Sequence, residues 1–292
     1  MQKRDHSHGA LPEFQEPAER HSGLLCRARP IAHTRPKMKP ATSYIVASTQ
    51  RSGTHLLCSI LRSTGVAGSP EEFFLSKPGE TWEKRWDAPS RDEYIERVLQ
   101  NNTGPNGVFG AVVMWTYFQR MLQMLQEVRE YNRFTGAELL AELFNRPKYI
   151  WMRRRNRVEQ AVSWSMACQT GIWAQRMGVT SQPDAPPKFD FRVIDEWCNR
   201  IAAHEASWKD YFRENQIEPL VLYYEDVVAC HRAAAERVLE FLALPLPHRM
   251  EIPAPAVEKQ ANEISAQWAA SYRKLKSKQT SKLRQIAQRF RI

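Results

Sequence analysis

A short loop rich in hydroxyl groups, with one arginine, separates two apolar segments near the beginning of the chain. Residues 42–48 are apolar and β-forming, and residues 55–62 place apolar side chains at helical spacing. Between them lie Arg51, Ser52 and Gly53. A loop that joins a strand to a helix points backbone amides toward an anion, glycine lets a ligand approach closely, and arginine adds a permanent charge. The pattern therefore predicts a phosphate-binding loop.

The loop continues into Thr54 and His55, which add a hydroxyl donor and further helix-start amides. The G-x-x-x-x-G-K-[ST] pattern and its lysine are absent, which disfavours an ATPase or a GTPase. The alternative without a ligand is an ordinary capped turn, since Ser and Thr are common in front of helices.

A second basic cluster follows a predicted strand at residues 149–152. Four arginines lie between positions 153 and 157 and would repel one another without an anion nearby. Arg155 stands at the end of the strand, and Ser163 lies about two helical turns further on, where its hydroxyl can return to the same region. An arginine and a hydroxyl together suit a terminal phosphate. A solvated basic surface is the alternative.

Two adjacent carboxylates, Glu71 and Glu72, precede Phe73 and Phe74 after the first predicted helix. A carboxylate within hydrogen-bond reach of a hydroxyl can take its proton as a new bond forms. Two neighbouring phenylalanines would desolvate that carboxylate and raise its pKa, which suits a general base. A surface glutamate beside an apolar turn is the alternative.

Strand-like and helix-like segments alternate along most of the chain, which predicts one α/β domain over residues 41–273 with a mainly parallel sheet covered by helices. In such a sheet, ligands bind at the carboxyl ends of the strands. Two Pro-rich stretches, 77–90 and 179–188, are predicted loops. The further predicted strands are 108–114 and 220–224, and the further predicted helices are 91–101, 118–130, 136–144, 157–175, 193–214, 231–243 and 257–273.

The net charge of +10 is concentrated at the two ends of the chain, so the domain itself gives no reason to expect nucleic-acid binding. Residues 1–40 mix charges and prolines and are expected to be disordered. Residues 274–292 form a basic tail in which Leu275, Leu283, Ile286 and Phe290 fall near helical spacing. A basic amphipathic segment of this kind is typical of contact with an acidic membrane surface.

The five cysteines are widely spaced and form no C-x-x-C pair, so we expect neither a disulfide framework nor a structural metal site. No apolar run reaches the length of a membrane span, and the beginning of the chain lacks the pattern of a secretory signal. These features predict a cytoplasmic protein, with possible contact to the inner face of the membrane through its tail.

Taken in order, the motifs T-Q-R-S-G-T-H-L-L, T-G-V-A-G-S-P-E-E-F-F, R-N-R-V-E-Q-A-V-S and Y-Y-E-D resemble those of the PAPS-dependent sulfotransferases, in particular the bacterial trehalose 2-sulfotransferase family. The similarity covers about residues 42–273 and includes N-G-V-F-G with M-W, Q-T-x-x-W, and K-Q-A-N with later Trp and Tyr residues. It implies a P-loop-like sulfotransferase architecture, a homodimer, and a metal-free reaction that leaves adenosine 3′,5′-bisphosphate (PAP) as product.

The resemblance also implies a role for individual residues. The loop from Arg51 to His55 would hold the 5′-phosphosulfate of PAPS, and Arg51 would also neutralise charge on the bridging oxygen. The other donor contacts would come from Arg155 and Ser163 at the 3′-phosphate, from Lys259 and Gln260 closing over the nucleotide, and from Tyr224 beside the adenine.

On the acceptor side, the resemblance implies a carbohydrate, with Glu72 as general base. Glu71, Phe73, Trp115 and Trp173 are candidate acceptor contacts, the tryptophans as sugar-stacking platforms or as core residues. The chain departs from the family pattern at Ser69, Glu71 and Val112, the last in place of a lysine, and at His55 in the phosphate loop. These departures leave the identity of the acceptor open.

Two other functions compete with sulfuryl transfer. A nucleotide or sugar kinase shares the α/β plan, and Asp226 would be its candidate magnesium ligand, although the Walker lysine is missing. A non-enzymatic membrane-peripheral module would instead depend on the basic C-terminal segment.

Overall fold

A four-stranded, entirely parallel sheet forms the centre of the protein. In this computed structural model, which describes residues 39–74, 84, 87–128, 130–173, 185–247 and 263–289, the strands are β1 (Thr42–Ser48), β2 (Val108–Met114), β3 (Lys148–Arg153) and β4 (Leu220–Tyr223). Their spatial order is β2-β1-β3-β4. All three pairings are parallel, so the carboxyl ends of the strands lie at one edge. The predicted α/β class with a parallel sheet is confirmed.

Helices connect the strands and cover both faces of the sheet. They are α1 (Thr54–Ser63), α2 (Arg91–Asn102), α3 (Trp115–Gln126), α4 (Gly136–Leu143), α5 (Arg157–Thr170), α6 (Phe191–Glu214), α7 (Tyr224–Ala229), α8 (His231–Leu242) and α9 (Glu263–Arg289). One face packs against α2, α3, α4 and α6 through an aromatic-rich core. The opposite face packs against α1 and α8. Helices α5, α6 and α9 share a third core beside the sheet.

The strand boundaries agree with the sequence pattern to within a residue, but several helix boundaries differ. Helix α3 begins at Trp115, directly after β2, and not at residue 118. Helix α5 ends at Thr170 because Gly171 adopts a left-handed conformation with φ 70°. Tyr224, predicted as the last residue of a strand, is instead the first residue of α7.

The last helix is longer than predicted and crosses the expected domain boundary at residue 273. Helix α9 contains 27 residues, with neither glycine nor proline to interrupt it. Its first half is anchored by the buried Trp268, Ala269 and Tyr272. Asp195 of α6 accepts hydrogen bonds from Tyr272 at 2.5 Å and from Lys276 at 2.6 Å.

Beyond Lys276, the helix no longer packs against the domain. The side chains of residues 277–285 are exposed, and Leu283 keeps 60% of its surface accessible. This part of α9 carries Lys278, Lys282 and Arg284 and no acidic residue. None of the described helices combines the length and the apolar composition needed to span a membrane. The extension expected over residues 1–40 lies almost wholly outside the described residues.

The contact between Gly110 of β2 and Tyr44 of β1 leaves no space for a side chain. A Cβ atom at position 110 would lie 2.4 Å from Cζ of the Tyr44 ring. Tyr44 is fully buried, and its hydroxyl donates to the Ala67 carbonyl at 2.7 Å. The ring therefore cannot move away without breaking a buried hydrogen bond.

We expect Gly110→Ala to lower the free energy of unfolding by about 2–3 kcal/mol, the cost of overpacking a rigid core. Chemical denaturation monitored by circular dichroism measures this. Gly65→Ala is the matched control. Gly65 has φ 70°, and no heavy atom lies within 4 Å of a Cβ added there. Its substitution should therefore cost about 1 kcal/mol, which comes from the left-handed backbone alone. Equal destabilisation by the two variants would contradict the packing argument.

Candidate functional site

The loop after β1 has the backbone geometry of an anion-binding turn. Gly53 is the N-terminal cap residue of α1, with φ 91°, and no side chain caps the helix. Arg51 also has a positive φ, 62°. A Cβ atom at Gly53 would lie 2.4 Å from Cδ2 of Tyr224, so glycine is required both by the backbone and by the ring packed against it. The first-turn amides of α1 are thus available to an anionic ligand.

The side chains that follow Arg51 in this loop differ in how far they are exposed to solvent. Ser52 is fully buried; its Oγ hydrogen-bonds to Ser48 Oγ and donates to the Thr49 carbonyl at 2.8 Å. Thr54 is buried at the start of α1, whereas His55 is exposed. In this structure the Ser52 side chain therefore maintains the shape of the loop.

The Arg51 side chain reaches α5 and the segment after it. Its Nε donates to Ser163 Oγ at 2.9 Å, and Nη1 donates to the Trp173 carbonyl. Burial, and then the positive charge of Arg154, lower the pKa of Arg51 to about 10. The guanidinium therefore stays charged at neutral pH. Arg51 and Ser163, expected at opposite ends of the donor, are brought into contact.

Arg154 is a site residue that the sequence pattern did not distinguish from its neighbours. Its side chain is only 8% exposed, and Nη2 donates to Glu159 at 3.1 Å. Its guanidinium lies 4.7 Å from the centre of the Tyr224 ring, the same ring that packs on Gly53. Its Nε is buried and has no hydrogen-bond partner among the described residues. A buried guanidinium with an unsatisfied donor beside an anion-binding loop is a strong candidate ligand contact.

Arg155, by contrast, points to the protein surface. It makes a bidentate ion pair with Asp226, at 2.6 and 2.7 Å, and stacks over Tyr223 at 4.2 Å. Its side chain is 50% exposed. The structure therefore does not bring Arg155 together with Ser163, which contacts Arg51 instead. Asp226, the candidate magnesium ligand of a kinase, is the ion-pair partner of Arg155, and this hydrogen bond lowers its pKa.

Two buried glutamines connect the loop to the helices around it. Gln160 of α5 is fully buried, and its Nε2 donates to Thr49 Oγ1 and to the Gln50 carbonyl, both at 2.8 Å. The Gln50 side chain accepts a hydrogen bond from Thr116 of α3 at 3.0 Å. This chain of hydrogen bonds holds the loop in register with α5 and α3. The spacing of the sequence contained no signal that selected these glutamines.

Glu72 lines a small, solvent-open cavity at the carboxyl end of β2. The other lining residues are Phe74, Val112, Val113, Met114, Tyr117 and Met121. Glu72 also lies close to Cys58 of α1. Burial raises the pKa of the Cys58 thiol, and the negative charges of Glu72 and Glu71 raise that pKa further. The carboxylate thus stands near the helix that begins at the anion-binding loop.

The other three candidate acceptor contacts on this side have structural partners. Glu71 continues the sheet edge, accepting a hydrogen bond from the Val112 amide at 2.9 Å, and its carboxylate pairs with Arg62 at 2.9 Å. Phe73 is 3% exposed and stacks on Phe109 at 5.8 Å. Trp115 packs edge-to-face on Trp208 at 4.9 Å. Of the two readings left open for Trp115, the structure favours a core role.

Trp173 is partly buried against the core of α5, α6 and α9, and its carbonyl reaches Arg51. Lys259 and Gln260 lie outside the described residues. Within the described part of the chain, no group of three His, Cys, Asp or Glu side chains could hold a metal ion. The prediction of a metal-free reaction stays a prediction.

A parallel sheet with an uncapped helix start after β1 and a second basic strand end beside it is the arrangement that α/β proteins use to bind anionic ligands. The chain belongs to the Stf0 sulphotransferase family, whose sequence model matches residues 43–275. The family resemblance inferred from the motifs, and with it the sulfotransferase class, is confirmed.

Two curated relatives are similar over most of their length. The trehalose 2-sulfotransferase of Mycolicibacterium smegmatis is 30% identical over 261 residues, which cover 80% of this chain and 95% of the relative. The trehalose 2-sulfotransferase of Mycobacterium tuberculosis is 28% identical over 255 residues, covering 79% of this chain and 94% of the relative.

Proposed function

We propose that this enzyme transfers a sulfuryl group from PAPS to a hydroxyl of a carbohydrate acceptor. The observation that carries the proposal is the pair of buried guanidiniums, Arg51 and Arg154, beside the uncapped start of α1. Like charges so placed, each largely removed from water, favour the binding of a polyanion. The names of the two mycobacterial relatives support both the sulfuryl transfer and a sugar acceptor. Neither the structure nor the comparisons support a kinase or a non-enzymatic membrane module.

The residues present fit such a donor. The unsatisfied Arg154 Nε and the first-turn amides of α1, which no side chain caps, are features that an anionic nucleotide would use. We propose that the loop from Arg51 to His55 holds the 5′-phosphosulfate and that Ser163, with Arg154, holds a second phosphate. Arg155 remains a candidate for the 3′-phosphate, but its ion pair with Asp226 would have to open. We propose that Tyr224, whose ring lies between Gly53 and Arg154, contacts the base or the sugar of the nucleotide.

When bound, PAPS supplies an activated sulfuryl group. Arg51 remains protonated and offsets the negative charge that develops on the bridging oxygen of the donor, and the α1 amides add fixed dipoles to the same end. Because Gln160 and Gln50 hold the loop by hydrogen bonds, these groups need little reorganisation during the reaction. The proposed chemistry requires no metal ion.

Glu72 is the proposed general base. The carboxylate would accept the proton of the acceptor hydroxyl as that oxygen bonds to sulfur, in line with the departing PAP. The cavity that it lines opens at the carboxyl end of β2, the strand next to the one that carries the donor loop. Trp173, whose backbone carbonyl accepts a hydrogen bond from Arg51, is the remaining candidate for a sugar contact.

We further propose that the projecting half of α9 contacts an anionic membrane surface while the enzyme acts in the cytoplasm. Its exposed cations are not balanced by any acidic side chain within the projecting segment, and Leu283 adds exposed apolar area. The homodimer that the family resemblance implies also stays a proposal.

Arg154 is expected to contribute more to donor binding than Arg155. We expect Arg154→Ala to weaken the binding of PAP at least about tenfold, the scale of one charged hydrogen bond, and Arg155→Ala to weaken it less than about threefold, since surface ion pairs contribute little. Isothermal titration calorimetry measures both. Arg154→Lys, which keeps the positive charge, serves as a control. The melting temperature of each variant shows whether a loss of binding comes from a loss of folding. Wild-type affinity in a folded Arg154→Ala would contradict the donor-site assignment.

Removing the proposed base should affect catalysis and not donor binding. We expect Glu72→Gln to lower kcat by about 10²- to 10⁴-fold, the usual contribution of a general base, with the Kd for PAP unchanged within about twofold. Steady-state assays with labelled PAPS measure the rate. Glu71→Gln is the matched control, because that carboxylate pairs with Arg62, and it should keep most of the activity. Equal loss in the two variants would argue against Glu72 as base.

Membrane contact should depend on charge and on salt. We expect the full chain to co-sediment with vesicles containing anionic phosphatidylglycerol, and to be released as salt rises, because each cation near such a surface contributes about 1 kcal/mol. Changing Lys278, Lys282 and Arg284 together to glutamate should abolish the binding. The control is glutamate at Arg213, Arg232 and Arg237, which lie on the domain. Binding that survives the α9 changes would contradict a role for this helix.

A further inference from the structure

Gln50, in the loop after β1, has a buried side-chain donor that the neighbouring residues do not use. The residue is only 5% exposed. Its Oε1 accepts a hydrogen bond from Thr116 Oγ1 at 3.0 Å, whereas its Nε2 is buried and has no hydrogen-bond partner among the described residues. Because an unpaired buried N–H group is unfavourable, nearly all such groups in proteins have a partner. The amide therefore indicates a place for an oxygen atom of a ligand.

The Gln50 amide extends from the donor loop toward the acceptor side. The backbone carbonyl of Gln50 is held by Gln160 of α5. Its side chain is held by Thr116, which lies in the first turn of α3, directly after β2. Glu71 pairs with the same strand, β2, and so places Glu72 beside it. The amide thus lies on the side of the donor loop that faces the proposed base.

The second buried glutamine of this loop, Gln160, shows why Gln50 is the better candidate. Gln160 Nε2 already donates to Thr49 Oγ1 and to the Gln50 carbonyl, both at 2.8 Å. The atom of Gln160 that lacks a partner among the described residues is Oε1, which can only accept. An acceptor repels the oxygens of an anion, and a donor binds them. Of these two glutamines, only Gln50 presents a donor.

We propose that Gln50 Nε2 donates a hydrogen bond to an oxygen of the sulfuryl group of PAPS and aligns that group with the acceptor hydroxyl. In the transfer, the acceptor oxygen forms a bond to sulfur and gives its proton to Glu72. The bond between sulfur and the bridging oxygen breaks, and its electron pair leaves with PAP. Sulfur must therefore lie between the donor loop and Glu72, the region toward which the amide extends. PAPS would displace the side chains that shield this amide from water.

This inference rests on the proposed function, because it requires PAPS as the donor. It deepens that function by naming a residue that contacts the transferred group itself. PAP carries both phosphates of the donor and lacks the sulfuryl group. A comparison of the two nucleotides therefore separates a contact to the sulfuryl group from contacts to the rest of the donor.

The affinities for PAP and PAPS, measured without an acceptor, test the contact. Gln50→Met removes the amide and keeps the length of the side chain. It should weaken PAPS binding by about fivefold or more, the scale of one hydrogen bond, and leave the Kd for PAP unchanged within about twofold. Gln160→Met is the matched control and should change both affinities by the same factor, because Gln160 holds the loop. Equal changes for PAP and PAPS in a folded Gln50→Met, or no change in either, would overturn the proposal.

The rate of PAP release from PAPS, with trehalose or with water as acceptor, tests the alignment. Gln50→Met should lower this rate at saturating PAPS by about tenfold or more, since a misplaced reacting group slows catalysis strongly. Gln50→Glu keeps the shape of the side chain and replaces the N–H donor by an acceptor, so it should lower the rate at least as much. A wild-type rate in Gln50→Glu would show that no donor is needed at this position.

This inference and the proposed function can fail separately. If the wild-type protein binds neither PAP nor PAPS, both are removed. If it binds both nucleotides and Gln50→Met changes the two affinities equally, the donor site remains and only the sulfuryl contact is removed. The binding measurement needs no acceptor, so its outcome does not depend on which carbohydrate the enzyme uses.

Discussion

The hydrogen bonds around Ser48, the last residue of strand β1, fix the position at which the loop after that strand begins. The Ser48 carbonyl accepts from Trp208 Nε1 at 2.8 Å, and its hydroxyl donates to the Met152 carbonyl of the neighbouring strand at 2.8 Å. Trp208 is itself fully buried. Helix α6 and strand β3 are thus both tied to the residue from which the loop departs, and a displacement of either would move the loop. Since a misplacement of about 1 Å is enough to slow catalysis strongly, this anchoring serves the reaction as much as the fold.

A second constraint is electrostatic. Burial, and then the nearby positive charge of Arg154, disfavour the charged form of Arg51 and lower its pKa. Among the hydrogen bonds that hold the two side chains there, Arg51 donates to Ser163 and to the Trp173 carbonyl, and Arg154 donates to the Glu159 carboxylate. An anion bound here would offset the unfavourable free energy of placing these two charges together.

Much of this arrangement could be predicted from the sequence. The β-forming run of residues 42–48 and the helical spacing after it located the loop, because the side-chain periods of strand and helix differ. The choice between Arg154 and Arg155 could not be made in that way. Where β3 ends, the alternation of buried and exposed side chains ends too, and only the packing of Tyr224 and Glu159 shows which arginine faces inward. The roles of Gln50 and Gln160 were hidden for a similar reason, since their hydrogen-bond partners are distant in sequence or are backbone atoms.

The sequence pattern predicted a basic, amphipathic tail over residues 274–292 but not its connection to the domain. Residues 274–289 continue the helix that begins at Glu263. That continuity has a mechanical consequence. At 1.5 Å per residue, α9 is a rod of about 40 Å, and Arg273, near its middle, donates to the N-terminal cap of α5, Asn156, at 3.0 Å. Helix α5 carries Gln160 and Ser163. A load on the exposed end of α9 would therefore be carried into α6 by Tyr272 and Lys276 and into α5 by Arg273.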